Sequence, residues 1–145
     1  MKITVQPHDF DAGEETAALS GSGVGGIVSF VGLVRGDDEV LSMTLEHYPG
    51  MTERALQDIA EEAVRRWNLL DVSVIHRYGR LRPGERIVYV GTAAAHRREA
   101  FEACEFIMDY LKTRAPFWKY EETHDGGRWV DARAEDEFSA ERWQR

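Results

Sequence analysis

Apolar and polar positions change their period along the chain, and each change marks an element. "KITVQP" (2–7) alternates, which predicts a first strand. Residues 11–23 are acidic, small and glycine-rich and read as a loop, or as a short helix followed by a turn. "GGIVSFVGLVRG" (25–36) is an apolar run bounded by glycines, the signature of a strand. "GDDEVLSMTLEHY" (36–48) reads as a second strand after a short acidic connection, so these two are expected to form a hairpin. Pro49-Gly50 stops it, and "MTERALQDIAEEAVRRW" (51–67) follows with Leu56, Ile59, Ala60, Ala63 and Trp67 at helical spacing.

"DVSVIHRYGRL" (71–81) reads as one further strand, Pro83-Gly84 as a turn, and "RIVYVGTAA" (86–94) as the strand after it. "HRREAFEACEFIMDYLKTRA" (96–115) predicts a second amphipathic helix whose apolar stripe runs through Ala100, Phe101, Cys104, Met108 and Leu111. Pro116 biases Ala115 away from helical geometry. "FWKYEET" (117–123) and "RWVDAR" (128–133) form a closing hairpin around Asp125-Gly126-Gly127, and "AEDEFSAERWQR" (134–145) ends the chain as a short helix. Two strands, a helix, two strands, a helix and a hairpin make an α+β order rather than a strict βαβ alternation.

A length of 145 residues suits a single domain spanning 1–145. No apolar run approaches the roughly 18 residues of a membrane span. The opening "MKITVQPHDF" has no apolar core of a signal peptide, and the lone Cys104 has no internal partner, a pattern expected of a cytoplasmic chain. The formal net charge of −8 argues against a general nucleic-acid binder, which needs a basic face to displace counterions. It leaves room for a local cationic pocket, because the field in a cleft is set by nearby groups.

Several motifs resolve on their context. "GSGVGG" matches G-x-G-x-x-G at Gly21, Gly23 and Gly26, but it precedes a strand, whereas the dinucleotide fingerprint follows one and opens a helix. His8, His47, His76, His96 and His124 show no metal-binding spacing, so no zinc site is expected. Cys104 lies on an apolar stripe and reads as a buried structural thiol. His96-Arg97 stands where a strand gives way to a helix, a place that suits phosphate. The pair equally fits an exposed helix start. Arg35 ends a strand, where solvated arginines are common.

"LKTRAPFWKYEE" (111–122) gathers Lys112, Arg114 and Lys119 around one proline in an acidic chain. Lys112 sits in a last helical turn, where a cation also complements the dipole. Lys119 follows the proline in an extended segment, sharing a face with Phe117 and Glu121. Aromatic neighbours desolvate a lysine, and desolvation disfavours its charged form. The pattern describes an anion pocket with a reactive lysine.

"LEHYPGMTE" (45–53), "VIHRYGRLRPGE" (74–85), "AHRREAFEACEFIMDYLKTRAPFWK" (95–119) and "RWVDAR" (128–133), in this order, resemble the MoaE family, the large catalytic subunits of molybdopterin synthase. The resemblance runs from about Gly26 to Arg133. It implies an α/β hammerhead-like fold with an added antiparallel subdomain. It also implies conversion of cyclic pyranopterin monophosphate to molybdopterin, with sulfur arriving as a thiocarboxylate on the C-terminal Gly-Gly of a small ubiquitin-like subunit. No cofactor or metal is implied for the transfer. Large subunits would pair, each carrying one small subunit, as a heterotetramer. By resemblance Arg35, His96, Arg97 and Arg133 bind substrate, Lys112 and Lys119 are catalytic and line the pocket, and Tyr120 and Glu121 complete the segment begun by Lys119. Many members carry basic residues where this chain has Leu33 and Tyr120, so its pocket edge is less positive.

Two rival classes are a small-anion sensor on the same fold and a purely structural partner of a ubiquitin-like protein. The first would not need both lysines, and the second would not need His96-Arg97.

Overall fold

The computed structural model describes residues 1–36, 39–130 and 139–144. The elements are β1 (Lys2–Gln6), α1 (Ala12–Ala17), β2 (Gly26–Leu33), β3 (Val40–His47), α2 (Met51–Trp67), β4 (Asp71–Arg77), β5 (Gly79–Leu81), β6 (Arg86–Ala94), α3 (Arg97–Arg114), β7 (Phe117–Thr123) and β8 (Gly126–Val130). They form two four-stranded sheets, ordered β1-β4-β6-β2 and β5-β3-β7-β8. In the first, β1 and β4 are parallel and the other pairs antiparallel. The second is antiparallel throughout and corresponds to the added subdomain.

The expected β2–β3 hairpin does not form. β2 pairs with β6, from Gly26 opposite Ala94 to Leu33 opposite Arg86, while β3 pairs with β5 and β7 in the other sheet. The register shifts between Gly32 and Leu33. Val34 then buries itself in the second sheet's core with Met43, Leu45 and Leu81. The chain leaves one sheet for the other just where a hairpin turn was expected. "DVSVIHRYGRL" divides for a similar reason. Gly79 adopts φ +96°, open to glycine at little cost, and β5 departs to pair with β3.

α2 and α3 cover one face of the first sheet. Leu56, Ile59, Ala60 and Ala63 of α2 meet Ala100, Ala103, Cys104 and Ile107 of α3 over Val72, Val74, Val88 and Val90. Small alanines at these contacts let the helices approach closely. The opposite face carries Phe10, Ile75 and Tyr89, with Tyr89 hydrogen-bonded to Thr16 of α1 at 2.8 Å. α3 is rotated slightly from the expected stripe. Ala100, Ala103, Cys104, Ile107 and Leu111 define the buried face, whereas Phe101 is 60% exposed.

Caps agree with the pattern. Asp11 accepts from the Glu14 amide at 3.0 Å, and the Glu53 carboxylate accepts from the Gly50 amide at 3.1 Å. The β7–β8 turn is His124-Asp125, with Gly126 at φ +120° opening β8. Of the expected terminal helix, residues 139–141 form a helical turn, and Trp143 packs edge-on against Trp67 and Phe106. No helix among the described residues is long and apolar enough to cross a membrane.

Candidate functional site

The site grows from the way α3 ends. Ala115 takes extended geometry (φ −78°, ψ 129°), as the following proline requires, and the Phe117 amide donates to the Ala115 carbonyl at 2.9 Å. Thr52, fully buried at the start of α2, locks the turn. Its hydroxyl donates to the Pro116 carbonyl and accepts from the Tyr48 amide, both at 3.0 Å. β7 therefore starts from a fixed point and runs along β3, with Phe117 opposite His47 and Lys119 opposite Leu45.

Directly opposed residues share a sheet face, so Phe117 and Lys119 lie on the side of His47 and the buried Leu45. Phe117 stacks on His76 of β4, with ring centres 3.9 Å apart and planes 22° from parallel. His47 stacks on Tyr78 at 4.1 Å. Lys112 comes to the same place from the last turn of α3. Burial pushes the His76 imidazole down to about 4, opposed by its hydrogen bond to the Arg77 carbonyl and reinforced by the charges of Lys119 and Lys112.

Arg35 belongs to this end. It follows Val34, whose side chain shares a core with Leu45 and Phe117, and its own side chain is exposed. Glu121 shares the face of Lys119 and pairs with Arg128 at 3.1 Å. Tyr120 points to the opposite face, where its ring meets Trp129 at 5.1 Å. A β-carbon on Gly127 would fall 1.7 Å from its hydroxyl, so that glycine admits the ring.

His96 and Arg97 lie elsewhere. They open α3, beyond the far end of β6, and both are exposed. Arg97 and Lys112 lie 15 residues apart on one helix, which separates them along its axis by roughly 22 Å. Glycines shape this end too. A β-carbon on Gly25 would lie 2.0 Å from the Ala95 carbonyl oxygen, and one on Gly26 3.2 Å from the Arg97 Cα. Gly25 and Gly26 of "GSGVGG" thus serve close packing against the helix start. A single chain places Arg35, Lys112 and Lys119 at one end and His96-Arg97 at the other. Arg133 lies outside the described residues.

Cys104 is buried, and burial pushes its thiol up to about 12, which leaves it an inert core group. No cluster of His, Cys, Asp and Glu among the described residues could hold a metal ion. A cleft of about 530 Å³ lined by Asp9, Phe10, Asp11 and Arg86 offers little to an anion, because Arg86 is already held by Asp9. Sequence reading missed His76 and Thr52. His76 had a signal, since it continues the inward alternation of Val72 and Val74 on a strand.

Two four-stranded sheets and two covering helices, with a lysine pair near the end of α3 and a His-Arg pair at its start, define an α+β protein. The MoaE protein family model matches residues 5–114. A molybdopterin synthase catalytic subunit from Pseudomonas aeruginosa is 56% identical over 149 residues, covering 99% of each chain. A molybdopterin biosynthesis MoaE protein from Burkholderia ambifaria superposes with a TM-score of 0.85 at 56% identity, over 98% of this chain and 97% of that one. A chain from a complex of subunits 1 and 2 of molybdopterin-converting factor from Helicobacter pylori shares the fold, with a TM-score of 0.74 at 20% identity over 90% and 92%. The chain belongs to the MoaE family, the catalytic subunits of molybdopterin synthase, and acts in molybdenum cofactor biosynthesis.

Proposed function

We propose that this subunit converts cyclic pyranopterin monophosphate to molybdopterin, taking both dithiolene sulfurs from a thiocarboxylate on the C-terminal Gly-Gly of a small ubiquitin-like subunit. The observation that carries the reading is the placement of Lys119 on β7, two residues beyond the Phe117–His76 stack and on the same face, with Lys112 in the last turn of α3 just before the Pro116 turn. Sulfur comes from the partner, so no cysteine nucleophile is required, in keeping with the buried Cys104.

Lys119 stands on a strand face beside stacked aromatic rings, where a cation is worth more than in open water. Its role is to move a proton or to stabilise the negative charge of the tetrahedral adduct at the acyl carbon. Lys112 is an electrostatic clamp on the same substrate. Arg35 adds charge at the rim, with Glu121 and Tyr120 framing the β7 side and Arg133 a further cation for the substrate. An extended tail ending in two glycines fits a narrow cleft that larger residues would block. The Helicobacter pylori relative, solved as a complex of two subunits, supports docking of a small subunit.

His96 and Arg97 bind the phosphate, but across a dimer. In a two-fold pair each chain presents the same surface, so the far end of one α3 can complete the lysine site of the other copy. Two large and two small subunits then make a heterotetramer with two sites. The direct test is incubation with cyclic pyranopterin monophosphate and a thiocarboxylated small subunit, with molybdopterin read by mass spectrometry. Product is expected with the full tail and none when its last two glycines are removed. Product from the truncated partner would refute the sulfur route.

A further inference from the structure

His76 has no part in the reaction described above, yet it is a buried titratable group beside both lysines. On the helix-facing side of β4 it continues the row of Val72 and Val74, flanked across the sheet by Val5 of β1 and Val88 of β6. A buried imidazole is costly unless its polar atoms are paired. Nδ1 lies 2.9 Å from the Arg77 carbonyl oxygen, which only accepts, so Nδ1 carries the proton. That proton is common to the neutral and the charged ring; burial favours the neutral form, in which Nε2 is an acceptor. The charged groups acting on it are Lys119 from β7 and Lys112 from α3. Its face is covered by Phe117 at 3.9 Å, two residues before Lys119 on the same side of β7.

We propose that His76 is a positioning residue of the two-lysine site: its stacked ring sets where β7 places Lys119, and its neutrality keeps a third positive charge away from the lysines. The proposal rests on the reading of Lys112 and Lys119 as the groups that act on substrate. An aliphatic residue would fill the space without holding Phe117 in a plane. A protonated histidine would hold the plane and repel both ammonium groups.

The test compares His76→Leu, which removes the stack, with His76→Phe, which keeps a ring and removes both nitrogens. Each is assayed in full-length protein with thiocarboxylated small subunit and cyclic pyranopterin monophosphate, beside a thermal melt. His76→Leu should lower the single-turnover rate on the order of tenfold to a hundredfold through misplacement, with little change in substrate Kd. His76→Phe should restore most of that rate. Nitrogen NMR of the His76 ring at pH 6 should show the neutral tautomer protonated at Nδ1. A folded His76→Leu with the wild-type rate, or a protonated ring at pH 6, would overturn the proposal. Should His76→Leu fail to fold, Phe117→Leu removes the same stack from its other side and is held to the same expectation. Lys119→Ala in the same assay separates the two failures. If it is active, the lysine reading has failed. If it is inactive while the stack variants are normal, only the role of His76 has failed.

Discussion

The two ends of α3 solve different problems with the same kind of residue. At its C-terminal end Lys119 is half-buried on a braced strand, while Lys112 stands exposed on the last turn of the helix. Pro116 stops the helix, Thr52 ties down the turn, and Phe117 and His76 stack beneath the strand that carries Lys119. At its N-terminal end His96 and Arg97 stand exposed on a helix start, where Gly25 and Gly26 allow the backbones to pack closely. A group that acts at a transition state must be held in place before substrate arrives. A group that grips a remote phosphate needs charge and access more than rigidity. The contrast supports the proposal that chemistry belongs to the built end and anion capture to the open one.

Breaking the built end should have the larger effect. Lys119→Ala is expected to lower single-turnover sulfur transfer by about 10²–10⁴-fold, the range for a group in general acid–base work. Its melt should stay native-like, because Lys119 is partly exposed and its loss opens no large core cavity. Lys119→Arg should not rescue it, since a guanidinium keeps its proton and is planar and larger. Near-normal turnover in a stably folded Lys119→Ala would reduce that lysine to a surface charge.

The same end should show itself in acid stability. The folded His76 ring resists protonation until about 4, while in the unfolded chain it protonates near its ordinary 6.5. The unfolded state thus binds more protons in that window, and stability is full above it and falls as pH drops from about 6.5 to about 4. The loss amounts to about 3 kcal/mol. Denaturant titrations of wild type and His76→Phe should diverge by that amount across the window. Parallel curves would mean that the ring is not buried as described.

Disturbing the open end should be milder and of another kind. Arg97→Ala should weaken substrate binding by about 1.5–3 kcal/mol, the worth of a hydrogen bond to a charged group. The rate of the bound complex should change little, because a phosphate contact away from the reacting carbons binds ground and transition states alike. An unchanged Kd would remove Arg97 from the site.

Local features were legible in the chain and long-range ones less so. Periodicity located α2 to the residue, and Pro116 placed the end of α3 within one residue. The phase of α3 was misread at Phe101 because hydrophobicity alone cannot tell which of two adjacent faces the sheet will cover. The β2–β3 hairpin failed because adjacency along the chain is a prior for pairing, and burial of Val34 in the second core outweighed it. The lysines were readable from their crowding around a proline. Their distance from His96-Arg97 was not, because helix length says where two ends lie only once the helix is known to be unbroken. The two-chain site is proposed because of that distance.

Complementation between chains tests the divided site most directly. Lys119→Ala and Arg97→Ala chains, each weak alone, are unfolded together in equal amounts, refolded, and assayed with thiocarboxylated small subunit at a substrate concentration limiting for Arg97→Ala. Random pairing makes half the dimers mixed. In a two-fold dimer each mixed pair holds one site with both defects and one with neither, so about a quarter of all sites are restored. Activity near a quarter of wild type, well above the average of the separate variants, is the expected result. Activity equal to that average would place Lys119 and Arg97 in the same chain's site, or in no common site, and would contradict the account.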